Sequence, residues 1–345
     1  MHSLSIRNIA IAGIGLFVAA CSSHGMLQSP GGTGPGASFE SSAGPDITTH
    51  YVYVTNNQVG GGFYSVEYFA LSANGNIAPV GVISGSSTEL SGSNGIVVDT
   101  HGNMFVGNET TGTITIYRPG STGNIAPSKI LAGPSTQLYA PVGLAIDTSN
   151  NIYAAQCGGF CNGTGEPDSV VVFEGGDHGN ATPVQFIEGS NTQLSGANGI
   201  AVDQARNIYV TCRGTNSVLV FDAFANGNIT PERVISGSNT GISNPDGIAV
   251  DAAGNTYVVQ TGGSIAVFGS GANGNVAPIR VISGGNTQLS GPDGIYVSNG
   301  VLYAANRPGN IVTEYPKGAN GNVSPSAIIA GSSTQLDGPS AIFER

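Results

Sequence analysis

From Gly199 to Pro231 the chain reads GIAVDQARNIYVTCRGTNSVLVFDAFANGNITP. Three short apolar runs stand in this tract: Gly199 to Asp203, Asn207 to Val210 and Ser217 to Phe221. Val, Ile, Tyr and Phe dominate them, and Gly, Asn, Asp and Ser separate them, which is the pattern of short strands joined by tight turns. The tract closes on Gly-Asn-x-x-Pro, Gly227 to Pro231, and a fourth apolar run follows into Val234-Ile235-Ser236-Gly237.

The same tract recurs along the chain. Gly-Asn-x-x-Pro begins at Gly75, Gly123, Gly179, Gly227, Gly274 and Gly321, with spacings of 48, 56, 48, 47 and 47 residues. The first run recurs as Gly95 to Asp99, Gly143 to Asp147, Gly247 to Asp251 and Gly294 to Ser298. The second recurs from Asn103, Asn151, Asn255 and Val301. Four antiparallel strands in a unit of ~45 residues predict a propeller blade, whereas a parallel β-helix repeats at a much shorter period. Small residues in the first strand, Ala201 and Ala249, suit the crowded axis, and the Tyr of the second strand suits the space between blades. Asn-Gly after the third strand (Asn74, Asn226, Asn273, Asn320) predicts a type I′ turn, because both residues tolerate positive φ.

The termini extend the pattern. Tyr51-Val52-Tyr53-Val54 matches a second strand with no first strand before it, and 338–344 matches 291–297. The expected fold is therefore all-β: a six-bladed β-propeller of four-stranded antiparallel blades, closed by N- and C-terminal strands. The unit Gly-Ile-Ala-Val-Asp-x-x-x-Asn-Ile-Tyr-Val, followed by Val-x-Val-Phe, resembles the NHL repeat, over about residues 48–345. Similar six-bladed rings include TolB-like domains, sensor ectodomains, lactonases of the gluconolactonase type and several lyases. The resemblance implies the fold and no single activity.

Composition agrees. The chain has 54 Gly and 18 Pro in 345 residues, and 9% are charged, against roughly 25% in an ordinary domain. Hydrophobic residues make up 39%, enough for a core, so disorder is excluded. Strong helix formers are scarce. A formal net charge of −11 argues against nucleic acid or an anionic lipid surface as partner.

The N-terminal residues read as an address. Arg7 is followed by an apolar stretch from Ile9 to Ala20, too short for a mature span. Val18-Ala19-Ala20-Cys21 resembles a bacterial lipobox, which makes 1–20 a signal peptide and Cys21 the lipid attachment residue. Residues 21–47, rich in Ser, Gly and Pro, read as a flexible tether, and 48–345 as the propeller. Ser22 rather than Asp after the cysteine implies, by resemblance to Gram-negative lipoproteins, an outer-membrane lipoprotein on the periplasmic or surface face. The membrane is then contacted through the anchor alone, and the domain is expected to be a monomer.

Aligning the repeats lists one face of the ring. The first strands start at Asn94, Val142, Asn198, Asp246, Asp293 and Ser340. The second strands end at Asn56, Asn108, Gln156, Cys212, Gln260 and Asn306, followed by Asn57, Glu109, Cys157, Arg213, Thr261 and Arg307. Two readings stand. The amides satisfy loop backbone, or Asn94, Asn198, Asp246, Asp293, Asn56, Asn108, Glu109, Gln156, Arg213, Gln260, Asn306 and Arg307 form a polar cup for a ligand. Asp246, Asp293 and Glu109, with amide oxygens, are the residues that would serve Ca²⁺; no other cofactor is implied. Of the histidines, His50 precedes the first strand, and His101 and His178 fall in hairpins on the opposite face. No histidine general base, Ser-His-Asp or Cys-His arrangement is available.

Connections after the second strand are long in the first blade (Tyr53 to Ser65) and the third (Tyr153 to Ser169). The latter holds Cys157 and Cys161, expected to form a local disulfide in an oxidising compartment. Cys212 is then a free buried thiol; a Cys157–Cys212 bridge is the alternative. The expected function is a non-enzymatic envelope propeller binding a protein, small molecule or carbohydrate. A metal-dependent lactonase or a ligand-free surface protein is the alternative.

Overall fold

The computed structural model describes residues 50–57, 63–159, 161 and 165–345. The lipobox with Cys21, the signal sequence and the tether lie outside the described residues.

Six four-stranded antiparallel sheets form a ring. From axis to rim, blade 1 is Pro339–Glu344, Tyr51–Asn56, Ser65–Ala70 and Gly81–Ser84. Blade 2 is Ser93–Val98, Met104–Asn108, Thr113–Tyr117 and Lys129–Leu131. Blade 3 is Pro141–Ile146, Ile152–Gln156, Ser169–Phe173 and Gln185–Glu188. Blade 4 is Ala197–Val202, Ile208–Cys212, Ser217–Phe221 and Arg233–Ile235. Blade 5 is Pro245–Val250, Thr256–Gln260, Ser264–Phe268 and Arg280–Ser283. Blade 6 is Pro292–Ser298, Val301–Asn306, Ile311–Pro316 and Ala327–Ala330. The C-terminal strand pairs antiparallel with Tyr51–Asn56, Tyr53 opposite Phe343, so the last residues supply the innermost strand of the first blade. Each inner strand contacts the next, round to the start.

The glycine that opens the inner strands has a steric cause. A Cβ on Gly199 or Gly247 would sit 2.5 Å from the carbonyl oxygen of Asp246 or Asp293 in the next blade. At the axis backbones meet, so a side chain at this position has no room. The tyrosines Tyr53, Tyr153, Tyr209, Tyr257 and Tyr303 are buried.

Two repeated polar devices hold the turns. Asp99, Asp147, Asp203 and Asp251 each accept backbone N–H groups two and four residues on, for instance His101 and Asn103 on Asp99 at 2.8 Å. The Asn four residues on donates back to the same carboxylate at 2.8–3.0 Å. This Asx arrangement explains the Asp-x-x-x-Asn spacing. In the other device, Thr88, Thr136, Thr192, Thr240, Thr287 and Thr334 are buried and donate to a glycine carbonyl three residues back.

The Asn-Gly pairs that follow the third strands do not form type I′ turns. Only their glycines have positive φ; Asn74, Asn226, Asn273 and Asn320 do not. The third and fourth strands are separated by long loops, 71–80 in blade 1, that reach the rim of the preceding blade. Asn226 Oδ1 accepts the N–H of Phe186, and Gly227 N–H donates to the Phe186 carbonyl at 2.7 Å. Asn74, Asn273 and Asn320 pair likewise with Ile328, Val234 and Val281. The next residue but one continues the contact: Asn76, Asn124, Asn180, Asn228, Asn275 and Asn322 each accept a backbone N–H of the preceding blade at 2.7–2.8 Å. Closure by the terminal strands alone leaves six outer edge strands exposed. These loops cover them, through parallel bridges such as Ile187 to Gly227, which is how the edges are blunted.

Candidate functional site

Each inner strand begins with a register shift against its neighbour, as at Ala197 to Ile200 in blade 4. The bulge turns the residue before the glycine toward the axis. Around this mouth lies a cavity of about 400 Å³, with Asn57, Asn94, Glu109, Asn198, Arg213, Asp293 and Arg307 in its wall. Its floor is a collar of Ile96, Leu144, Ile200, Ile248, Ile295 and Ile342, one from each inner strand. The same six residues border a second cavity, of about 340 Å³, at the other end of the axis. That one is lined mostly by aliphatic side chains, with Tyr296, Phe343 and Arg345.

The polar wall is a connected chain. Arg213 Nη2 donates to both carboxylate oxygens of Asp246 and lies 3.9 Å from Asp293 Oδ1. Arg307 Nη1 lies 3.4 Å from Asp293 Oδ2, and its Nη2 donates to the Asn57 carbonyl at 3.3 Å. Asn57 Nδ2 donates to Asn94 Oδ1, and Asn94 Nδ2 to Glu109. The arc thus runs over blades 5, 4, 6, 1 and 2. Asn198, on the remaining side, makes no side-chain hydrogen bond among the described residues, and Val142 beside it is apolar.

Burial sets the protonation of this arc. Asp246 is buried, and that burial, with Asp293 nearby, holds its carboxyl well above the usual range despite Arg213. Burial also raises Glu109, against the pull of Arg307 and the Asn94 hydrogen bond.

The residues aligned at the strand ends divide into two sets. Asn94, Asn198, Asp293, Glu109, Arg213 and Arg307 meet at the cavity, while Asp246 lies beneath Arg213. Asn56, Asn108, Gln156, Gln260 and Asn306 do not line it; they are buried within their blades. Asn108, Gln156, Gln260 and Asn306 accept the N–H of Ser91, Tyr139, Ser243 and Ser290 at 2.7–3.1 Å. Asn56 donates to the Gln335 carbonyl and to Glu67. Strand alternation explains the split: the amide points into the blade and the next residue points to the axis. Glu67 is a buried carboxyl that the repeat alignment passes over, because Thr115 and Thr313 occupy its position in blades 2 and 6 and take the same hydrogen bond. Burial pushes Glu67 up to about 8.

Cys157 and Cys161 form a disulfide, and Cys161 joins the cavity wall. Cys212 is a buried free thiol. His50 lies 3.3 Å from Glu344 and His101 beside Asp99, both at the strand ends opposite the cup. Among the described residues no three His, Cys, Asp or Glu side chains are grouped to hold a metal ion.

Residues 194–221, which form the first three strands of blade 4, match the NHL repeat family. That stretch of blade 4 is thus similar to an NHL repeat. No curated protein sequence matches the chain. Among solved structures, a chain of the Nidogen/Laminin Complex superposes at TM-score 0.59 with 15% identity, over 86% of this chain and 98% of that one. A protein of unknown function from Bacteroides caccae gives 0.61 and 12%, over 86% and 99%. A putative 6-phosphogluconolactonase from Bacteroides fragilis gives 0.54 and 15%, over 85% of each. At these identities the six-bladed ring shares a fold with them, and the site must speak for itself.

Proposed function

We propose that this protein is an envelope-anchored NHL-repeat propeller that binds a small polar molecule in the cup without turning it over. The observation that carries the reading is the connected chain from Asp246 to Glu109. Every ionisable group in it is held by a neighbour; among the described residues no histidine lines the cavity, and the one hydroxyl in its wall, Ser340, is hydrogen-bonded to Thr55 and to the Ser93 carbonyl rather than to a base. What the arc offers is directed hydrogen bonding: guanidinium N–H groups from Arg213 and Arg307, and amides from Asn94 and the uncommitted Asn198. The aliphatic collar excludes water below. A few placed polar groups over an apolar floor are how ligand pockets set orientation and specificity. The anchor at Cys21 and the tether up to residue 47 keep the cup close to a membrane.

Native mass spectrometry of the full chain isolated from an envelope fraction tests this. A retained small molecule is expected in the parent protein and lost in Asn198→Ala with Arg307→Ala. Equal retention in both, or none in either, overturns the reading.

A second reading draws on the lactonase-like neighbour and on the Asp293 and Glu109 carboxyls in the cavity wall, with Asp246 beneath Arg213. It makes the protein a Ca²⁺-dependent lactonase with Asp246, Asp293 and Glu109 as oxygen ligands. Lactone hydrolysis that requires added Ca²⁺ and disappears in Asp246→Asn with Asp293→Asn supports it; no hydrolysis with Ca²⁺ present removes it.

A further inference from the structure

The described part of the chain contains seven Asn-Gly pairs, beginning at Asn74, Asn94, Asn198, Asn226, Asn273, Asn299 and Asn320. Asn-Gly is the dipeptide most open to attack by a backbone nitrogen on a side-chain amide, since glycine has no Cβ to shield its nitrogen. The fold secures six of the seven. Gly75, Gly227, Gly274 and Gly321 donate their N–H to the preceding blade at 2.6–2.7 Å, and their asparagines accept an N–H from it. Gly199 N–H is buried against Thr211 Oγ1 at 2.8 Å. The Asn94 amide is pinned between Asn57 and Glu109.

Asn299 is different. It and Gly300 are the two residues between Ser298 and Val301, which pair across the first hairpin of blade 6. Their φ values are +48° and +83°, so this hairpin has the type I′ turn. Both residues are exposed, and the Gly300 N–H makes no hydrogen bond among the described residues. The side chain has one long contact, Nδ2 to Glu344 Oε2 at 3.5 Å.

We infer that Asn299 is a site of spontaneous deamidation on the folded propeller. The Gly300 nitrogen attacks Asn299 Cγ. A C–N bond forms, the Cγ–Nδ2 bond breaks, and the amide leaves as ammonia with the Gly300 proton. Water then opens the cyclic imide at either carbonyl, giving aspartate or isoaspartate. The product falls at the ring closure. Glu344 belongs to the closing strand and is buried, with His50 on its other oxygen and Arg345 following it. A donor turned into a second carboxylate sets two like charges against each other there, and isoaspartate adds a backbone atom to a two-residue turn whose length fixes the register.

The test is peptide mapping of the intact protein held in mildly alkaline buffer, with a parallel sample in urea. In the folded sample, conversion at Asn299 is expected to run at least several-fold ahead of Asn74, Asn226, Asn273 and Asn320. In urea the pairs are expected to converge. Conversion at equal rates in the folded protein, or the same ranking in urea, overturns the inference. Asn299→Gly keeps a turn that accepts positive φ and should remove the signal. Asn299→Asp should lower Tm by a few degrees, with partial recovery on adding Glu344→Gln; an unchanged Tm overturns the effect on the closing strand.

Discussion

Asn228 Oδ1 accepts the backbone N–H of Asn191, 2.7 Å away on the preceding blade. Beneath this bond lies Gly189, with φ +119° and no room for a Cβ, which would stand 2.5 Å from Asn228 Cγ. The pair makes a quantitative prediction. Asn228→Ala removes one largely exposed hydrogen bond and should cost about 0.5–1.5 kcal/mol. Gly189→Ala adds both backbone strain and a collision and should cost more, about 2–4 kcal/mol. The double variant should be more stable than the sum implies, since the collisions with Cγ and Oδ1 are gone and only the one with Cβ, at 2.8 Å, remains. Strict additivity in urea melts would show that the two residues do not meet.

Glu67 predicts a pH dependence. Its folded value, about 8, lies above the 4.5 of a solvated glutamate because burial disfavours the anion. Between those values the unfolded chain loses the proton and the folded chain keeps it. The unfolded state then binds fewer protons, so stability falls as pH rises through this window. Glu67→Gln removes the proton from both states. It should flatten the stability profile and be more stable than the parent near pH 8, by an amount on the order of a few kcal/mol. Parallel profiles for the two proteins would place the carboxyl in water.

Deleting 338–345 removes the innermost strand of blade 1, and with it the pairing of Tyr53 with Phe343 and the collar residue Ile342. The whole domain should melt at least 10 °C lower or fail to fold, because it loses a full strand of buried contacts. A truncated protein melting like the intact one would show that the ring does not depend on the closing strand.

The blade count and the closure were legible because every repeat places the same residue types at the same offsets, and 338–344 can be laid directly on 291–297. What was not legible depends on contacts between blades. Asn226-Gly227 carries the sequence of a hairpin turn, but the asparagine is bonded to Phe186 in the neighbouring blade, a relationship no local reading contains. The cup was half legible. Alternation along a strand decides that Gln260 turns into its blade while Arg213 reaches the axis, and an error of one residue exchanges the two. Glu67 was invisible because its equivalents are threonines in blades 2 and 6 and Val171, Leu219 and Ala266 in blades 3, 4 and 5, and a single acid gives no repeat signal.

The rim contacts run in one direction: every outer strand is covered by the loop of the blade that follows it. In a linear stack the last unit would go uncovered. Here Asn76 of blade 1 reaches Ser333 of blade 6, so the chain's two ends are joined at two radii by different means. At the axis the seam is a paired strand, and at the circumference it is a buckle. A force peeling Glu344 away from Val52 would open the hub while the hoop still held, and release of the ring would need a second, separate break.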